Sequence, residues 1–252
     1  MTNEREGVLT HLDAFSGIGG WGYAARLCGG IQTVQFIEND PFCQRVLHKN
    51  FPEAKIDGDV KEFSGHQYRG GVNIFTASPP CQPVSRAGKR RGKEDDRYLW
   101  GETLRVIDEI NPDWVILENP FDFITMGLDE TLFALANLNY EVQSFIIPAC
   151  AVQAFHRRDR VWIVGNSIGK HRTKHVTGNK LEVENQEGSD RRYVHDPRWE
   201  QNWIEVATGF CGDDDGLPRP MDINRLKALG NSIVPQIAEQ FFRAIVQIES
   251  AL

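Results

Sequence analysis

Short apolar runs alternate with helix-length amphipathic segments over the first 165 residues, and this rhythm constrains the fold more than any other feature of the chain. Residues 8–14 read as a buried strand, followed by the turn Gly17-Ile18-Gly19-Gly20 and a helix to about Cys28. Residues 34–38 form a second strand. Residues 41–50 suit a helix, with proline in its first turn and Asp40 as N-cap. A third strand is expected just before Asp59. Residues 73–78 and 114–117 read as strands, 97–110 and 128–138 as helices, and 141–147 and 160–164 as the last strands. Strands alternating with helices predict βαβ units and a parallel sheet, hence an α/β fold.

The 252 residues suit one large α/β domain with a modest insertion. Composition shifts after Gly165. From 166 to about 216 the chain is polar and charged, yet Tyr193, Trp199, Trp203 and Phe210 argue for a small folded lobe. Apolar periodicity returns after Pro220, and 235–252 reads as a closing helix. The expected organisation is therefore a main domain over 1–165, a lobe over 166–216, and a segment over 217–252 that returns to the main domain.

No apolar stretch approaches the roughly 20 residues needed to span a bilayer, and Met1 to Glu6 lacks a signal-peptide core. The five cysteines, Cys28, Cys43, Cys81, Cys150 and Cys211, are odd in number, widely spaced and without a CxxC pair. That argues against a disulfide framework or a cysteine-rich zinc site and for a cytoplasmic setting. His171 and His175 share a helix spacing, but no metal is expected. Net charge is −7, a weak argument against a nucleic-acid partner. Local potential matters more, and Lys89, Arg90, Arg91, Lys93 and Arg97 cluster, as do Arg157, Arg158 and Arg160.

Two constellations carry chemistry. Gly17, Gly19 and Gly22 fit GxGxxG between a strand and a helix, where glycine lets the backbone approach a ligand closely. Glu38 ends the second strand, where an acid bonds ribose hydroxyls, and Asp59 follows the third. In series they point to an adenosine-bearing cofactor, and the glycines alone do not separate a dinucleotide from S-adenosylmethionine. The second constellation is Pro79-Pro80-Cys81-Gln82 with Glu118-Asn119, each at the carboxyl end of a strand, where open α/β sheets bind ligands. A thiolate is the strongest nucleophile among side chains near neutral pH. A buried glutamic acid can hold a proton there. Together they suit attack on an electron-poor ring with protonation of its nitrogen.

These residues resemble the cytosine-C5 DNA methyltransferases over nearly the whole chain. Asp13-Ala14-Phe15-Ser16-Gly17-Ile18-Gly19-Gly20, Glu38-Asn39-Asp40 and Gly58-Asp59-Val60 are similar to the family's cofactor motifs. Ser78-Pro79-Pro80-Cys81-Gln82-Pro83-Val84-Ser85 is similar to its catalytic loop, and Glu118-Asn119 to its glutamate motif. His156-Arg157-Arg158-Asp159-Arg160 resembles a segment usually read Gln-x-Arg-x-Arg. Ala228-Leu229-Gly230-Asn231-Ser232-Ile233-Val234-Pro235 resembles the last cofactor motif. The chain departs from the pattern with Pro120 for valine, His156 for glutamine, Val84 for phenylalanine and Ala154-Phe155 for a small residue and proline.

The resemblance implies a Rossmann-like, S-adenosylmethionine-dependent methyltransferase sheet with a small target-recognition lobe. It implies that Cys81 adds to C6 of a flipped cytosine, that Glu118 bonds N3 and the exocyclic amine, and that Arg158 and Arg160 hold the O2 edge and nearby phosphate. Phe15, Gly17, Gly19, Glu38, Asn39, Asp59, Val60, Pro80, Leu99, Asn231 and Ile233 are the implied cofactor residues. Gln82, Ser85, Lys89 and Arg97 are the implied DNA contacts. The implied partner is double-stranded DNA, met by a monomer in a bacterial or phage-infected cell. Three other readings remain open at this point. They are a tRNA cytosine methyltransferase of the same family, a silent DNA-binding relative, and an oxidoreductase resting on the glycine pattern alone.

Overall fold

The computed structural model describes residues 7–80, 99–152, 154, 157–169 and 228–251. These belong to one compact unit drawn from 1–174 and 227–252. Residues 175–226 form a second unit, which lies outside the described residues.

The strands are β1 (Leu9–Ala14), β2 (Ile31–Ile37), β3 (Lys55–Asp57), β4 (Ile74–Ala77), β5 (Trp114–Pro120), β6 (Tyr140–Pro148) and β7 (Asp159–Ser167). The helices are α1 (Gly20–Cys28), α2 (Pro41–Asn50), α3 (Trp100–Ile110), α4 (Phe123–Met126), α5 (Leu128–Asn137) and α6 (Pro235–Ser250). Among the described residues the strands form one sheet in the order β3-β2-β1-β4-β5-β7-β6. The first five pair in parallel, as the βα rhythm predicts.

The far edge differs from the all-parallel expectation. β7 pairs antiparallel with both β5 and β6. The link from β6 to β7 spans only residues 149–158 and includes a turn of 3-10 helix at Ala149–Val152. A parallel crossover needs a dozen or more residues, usually with a helix. The chain therefore doubles back, and β7 fills the space between β5 and β6.

Sequence accounts for the two buried faces. Along β5, Val115 and Leu117 join a cluster with Val106, Ile107 and Ile110 of α3, Phe123 of α4 and Leu135 of α5. The alternate residues Trp114 and Ile116 join Trp21 and Ala24 of α1 and Ile237, Phe242 and Ile245 of α6 on the other face. Strands covered on both faces lose the polar alternation of a half-exposed sheet, so β5 opens as the continuous apolar run Trp114-Val115-Ile116-Leu117. Asp40 caps α2 through its side chain, accepting from the Phe42 and Cys43 N–H groups at 2.7 and 3.3 Å, with Pro41 in the first turn.

One polar chain crosses this interior. His11 and Asp13 of β1 are fully buried. His11 Nδ1 lies 2.8 Å from the Thr33 hydroxyl and Nε2 2.8 Å from that of Thr76, which donates to Asp13 Oδ1 at 2.8 Å. Thr76 has one hydroxyl proton, so Nε2 of His11 must be the donor to it and Nδ1 the acceptor from Thr33.

Candidate functional site

The carboxyl ends of β1, β2 and β3 build one half of the site. Phe15, Gly17 and Gly19 follow β1 in the left-handed region, with φ of 55°, 54° and 89°. A Cβ at Gly17 would meet nothing within 4 Å, whereas one at Gly22 would lie 2.7 Å from the Phe36 ring. The first glycine leaves backbone facing open space, and the last lets α1 pack against β2.

Glu38, directly after β2, is buried and bridges two turns. Its Oε2 accepts from the Gly17 N–H and its Oε1 from the Asp40 N–H, both at 2.7 Å. Burial pushes its carboxyl above the usual range, against the pull of those backbone donors. Asn39 and Asp59 are exposed, and Asp59 Oδ1 accepts from the Lys61 N–H at 2.9 Å. Val60 is buried, with its carbonyl held by Arg105 at 2.7 Å. Leu99 is half-buried just before α3, and Phe15 and Pro80 are also half-buried. Ile233 is buried beside α1, and a Cβ at Gly20 would come within 2.8 Å of it. Asn231, two residues earlier, is exposed. Open backbone, a buried carboxylate and an exposed carboxylate along one sheet edge fit a ligand with an adenosine-like body. The glycine conformations leave open space at Gly17.

The ends of β4, β5 and β7 build the other half. Ala77 is in register with Leu117, so Ser78 and Glu118 come next on adjacent strands. Glu118 is buried at 6 % exposure, and Arg160 Nε of β7 meets its Oε1 at 2.8 Å. Burial drives the Glu118 carboxyl above its ordinary range, opposed by the charges of Arg160 and Arg158 and by the Ser78 hydroxyl. The group is therefore poised between an acid favoured by desolvation and a carboxylate favoured by its neighbours. Asn119 donates through Nδ2 to the carbonyls of Glu118 at 2.7 Å and Pro79 at 3.3 Å, tying β5 to the proline turn.

Arg158 is placed differently from Arg160. It adopts a φ of 38° and donates through one nitrogen to the carbonyls of Gly230 and Ser232 at 2.9 and 2.7 Å. Its charge reaches Glu118, but its hydrogen bonds brace the segment before α6. Cys81, Gln82, Ser85, Lys89, Arg97 and His156 lie outside the described residues, as do 170–227.

Two side chains at this edge went unremarked as site residues in the sequence. Trp21 Nε1 donates to Ser78 Oγ at 3.1 Å, and Ser78 in turn acts on Glu118. Both lie inside the motifs, at positions adjoining a glycine and a proline, and that adjacency was the available signal.

Comparison with known proteins agrees with this geometry. The family described as C-5 cytosine-specific DNA methylase matches residues 9–211. The chain belongs to this family. Among its relatives, the chain is 36% identical over 112 residues to Type II methyltransferase M.NgoMIV of Neisseria gonorrhoeae, covering 44% of this chain and 35% of that one. It is 30% identical over 182 residues to Type II methyltransferase M.AquIA of Picosynechococcus sp., covering 63% and 72%. The methylase fold is shared with a DNMT2 variant from Spodoptera frugiperda at a TM-score of 0.56 and 23% identity, over 65% of this chain and 51% of that one. The chain thus spans about a third of M.NgoMIV and about half of the DNMT2 protein.

Proposed function

We propose that the protein methylates C5 of a flipped-out cytosine in duplex DNA, with S-adenosylmethionine as methyl donor. One observation carries the reading. A buried glutamate, paired with Arg160 at 2.8 Å, lies on the strand beside the turn that leads into Cys81. Desolvation that raises the acid, with a cysteine following the proline turn in sequence, is the pairing that ring activation requires.

In the proposed reaction the Cys81 thiolate forms a bond to C6. The displaced π electrons move through C4 onto N3, which takes the Glu118 proton and leaves C5 electron-rich. Arg160 stabilises the carboxylate so formed and reaches toward the O2 edge. When bound, S-adenosylmethionine would supply an electrophilic methyl group, the C4–C5 π electrons forming the bond to it as its S–CH3 bond breaks and S-adenosylhomocysteine leaves. The turn at Gly17 and Gly19, with Glu38, Asp59 and Asn231, would hold the adenosine and methionine portions. Water or hydroxide then removes the C5 proton, the electron pair reforms the C5–C6 double bond, and Cys81 departs as thiolate. N3 returns its proton to Glu118. Because C5 and C6 are sandwiched in a duplex, the base must leave the stack.

Gln82, Ser85, Lys89 and Arg97 are proposed to grip backbone phosphates, and residues 166–216 to form the lobe that reads bases. The proposed acting form is a monomer in the cytoplasm of a bacterial or phage-infected cell. The test is methyl transfer from labelled S-adenosylmethionine to duplex DNA and to tRNA in parallel, with bisulfite sequencing of DNA from an expressing host. Label in DNA at C5 supports the proposal. Label confined to tRNA overturns the choice of substrate, and label in neither overturns the activity.

A further inference from the structure

Arg158 and Arg160 are near neighbours in sequence but serve different halves of the sheet edge. Arg160, inside β7, pairs with Glu118 at 2.8 Å. Arg158, just before the strand, has a φ of 38°, a left-handed backbone that a residue with a Cβ seldom adopts. Such a conformation persists only where the surroundings hold it. Its Nη2 donates to the carbonyls of Gly230 and Ser232 at 2.9 and 2.7 Å. A terminal guanidinium nitrogen carries two protons, and both are spent on this one turn. The Nε of Arg158 is shut from water and has no hydrogen-bond partner among the described residues. We propose that Arg158 is a positioning residue for the cofactor turn. It clamps the backbone on either side of Asn231, and through that segment it sets how tightly S-adenosylmethionine binds, without touching the cytosine.

The clamped segment reaches the glycine turn directly. A Cβ at Gly20 would lie 2.9 Å from Ser232 Oγ and 2.8 Å from Ile233 Cγ1, so the segment sits against the first residue of α1. Gly19, the residue before it, holds a φ of 89°. Ile233 is buried with Trp21, Ala24 and Ile237. Residues 229–231 are exposed, and their turn closes through the Ser232 N–H on the Leu229 carbonyl at 3.3 Å. That contact is long for an N–H···O bond. The shorter, charge-assisted bonds from Arg158 are the firmer hold. The arginine is itself anchored from behind, where the Ala149 N–H donates to the Arg157 carbonyl at 2.7 Å. A line of contacts thus runs from the start of β7 through Arg158 and the segment before α6 to the turn in which Gly17 leaves backbone facing open space. With Nη2 committed to two carbonyls, Arg158 has a role apart from Arg160, with which the resemblance groups it.

The inference rests on the proposed cofactor reading, and the experiment separates the two. The full chain and its Arg158→Ala and Arg158→Lys variants are compared by calorimetric titration with S-adenosylmethionine, by amide hydrogen exchange, and by methyl transfer to duplex DNA. Arg158→Ala should weaken S-adenosylmethionine binding about tenfold, the worth of one hydrogen bond to a charged group. Exchange should quicken over residues 228–236 and keep its wild-type rate in β1. The KM for S-adenosylmethionine should rise with Kd, while kcat stays within about twofold of wild type. Arg158→Lys keeps a charged donor without the planar fork, so its affinity should fall by about threefold and its exchange should lie between the other two. It carries the test alone if Arg158→Ala does not fold. Wild-type affinity in both variants overturns the inference, and so does exchange that quickens equally in β1. A fall in kcat with affinity retained also overturns it and returns Arg158 to the substrate. Binding and exchange decide the matter even where duplex DNA is not methylated. A wild type that binds no S-adenosylmethionine overturns the cofactor reading and the inference together, whereas binding that both variants keep overturns the inference alone.

Discussion

The two halves of the sheet edge are built from different materials. On the side of β1, β2 and β3, shape comes from backbone. Left-handed residues open a turn, and Glu38 spends both oxygens on main-chain N–H groups. On the side of β4, β5 and β7, shape comes from side chains that titrate. Glu118 pairs with Arg160 where burial shuts its carboxyl away from water. On the proposed reading the first half binds by fit, and small geometric changes there should cost affinity and stability. On the same reading the second half works by proton affinity, and isosteric changes there should cost rate while leaving the fold alone.

Substitutions can break or sharpen this contrast. The largest expected effect is on rate. Glu118→Gln keeps size but loses the proton for N3, and the turnover of DNA methylation should fall by roughly 10²–10⁴-fold. Cofactor affinity by calorimetry should stay at the wild-type level, and a matching loss of affinity would erase the division between the halves. On the other side, Gly22→Ala drives a Cβ to within 2.7 Å of Phe36. It should cost about 1–3 kcal/mol in urea unfolding. Gly17→Ala meets open space and carries only the strain of a left-handed residue, ~1–2 kcal/mol or less. Its larger effect should be on cofactor affinity. Glu38→Gln turns an amide N–H₂ toward the N–H of Gly17 or Asp40 and should destabilise the fold by about 1–3 kcal/mol.

A pH-dependent effect concerns the buried chain of His11 and Asp13. Burial lowers His11 to about 3 from 6.5. Its contribution to stability is present above pH 6.5 and lost as pH falls toward about 3. Burial raises Asp13 well above 3.8, so its contribution is present below 3.8 and lost as pH rises through the folded value. The two slopes oppose between 3.8 and 6.5. His11→Gln removes one of them. Its stability should decline across that window relative to wild type, by up to ~1.4 kcal/mol per pH unit. Parallel wild-type and variant curves would contradict the neutral pairing.

Much of this was legible in the sequence, for reasons that differ by residue. The glycine turn was readable because Gly17, Gly19 and Gly22 mark backbone needs that no other residue meets so readily, and α2 because Asp40 and Pro41 announce its start. Strand direction was not readable. The apolar run of β7 is the same whether it runs up or down the sheet, and only the ten-residue link at 149–158 limits the choice. The pairing of Glu118 with Arg160 joins residues 42 positions apart through antiparallel register, in which Pro120 faces Arg160. Trp21 and Ser78 were hidden for a related reason. Each lies in a motif whose neighbours attract the attention, and their contact spans 57 positions. Arg158 carried no local sign that its hydrogen bonds go to Gly230 and Ser232.

The central claim is that the Cys81 thiol joins covalently to cytosine. It is tested most directly by incubating the protein with duplex DNA bearing 5-fluorocytosine and S-adenosylmethionine, then resolving the products under denaturing conditions. Fluorine at C5 cannot leave as a proton does, so the account expects a stable protein–DNA adduct that maps to Cys81 and is absent from Cys81→Ala. Methylation of ordinary duplex DNA without any adduct on the fluorinated one, or an adduct that survives in Cys81→Ala, would contradict it.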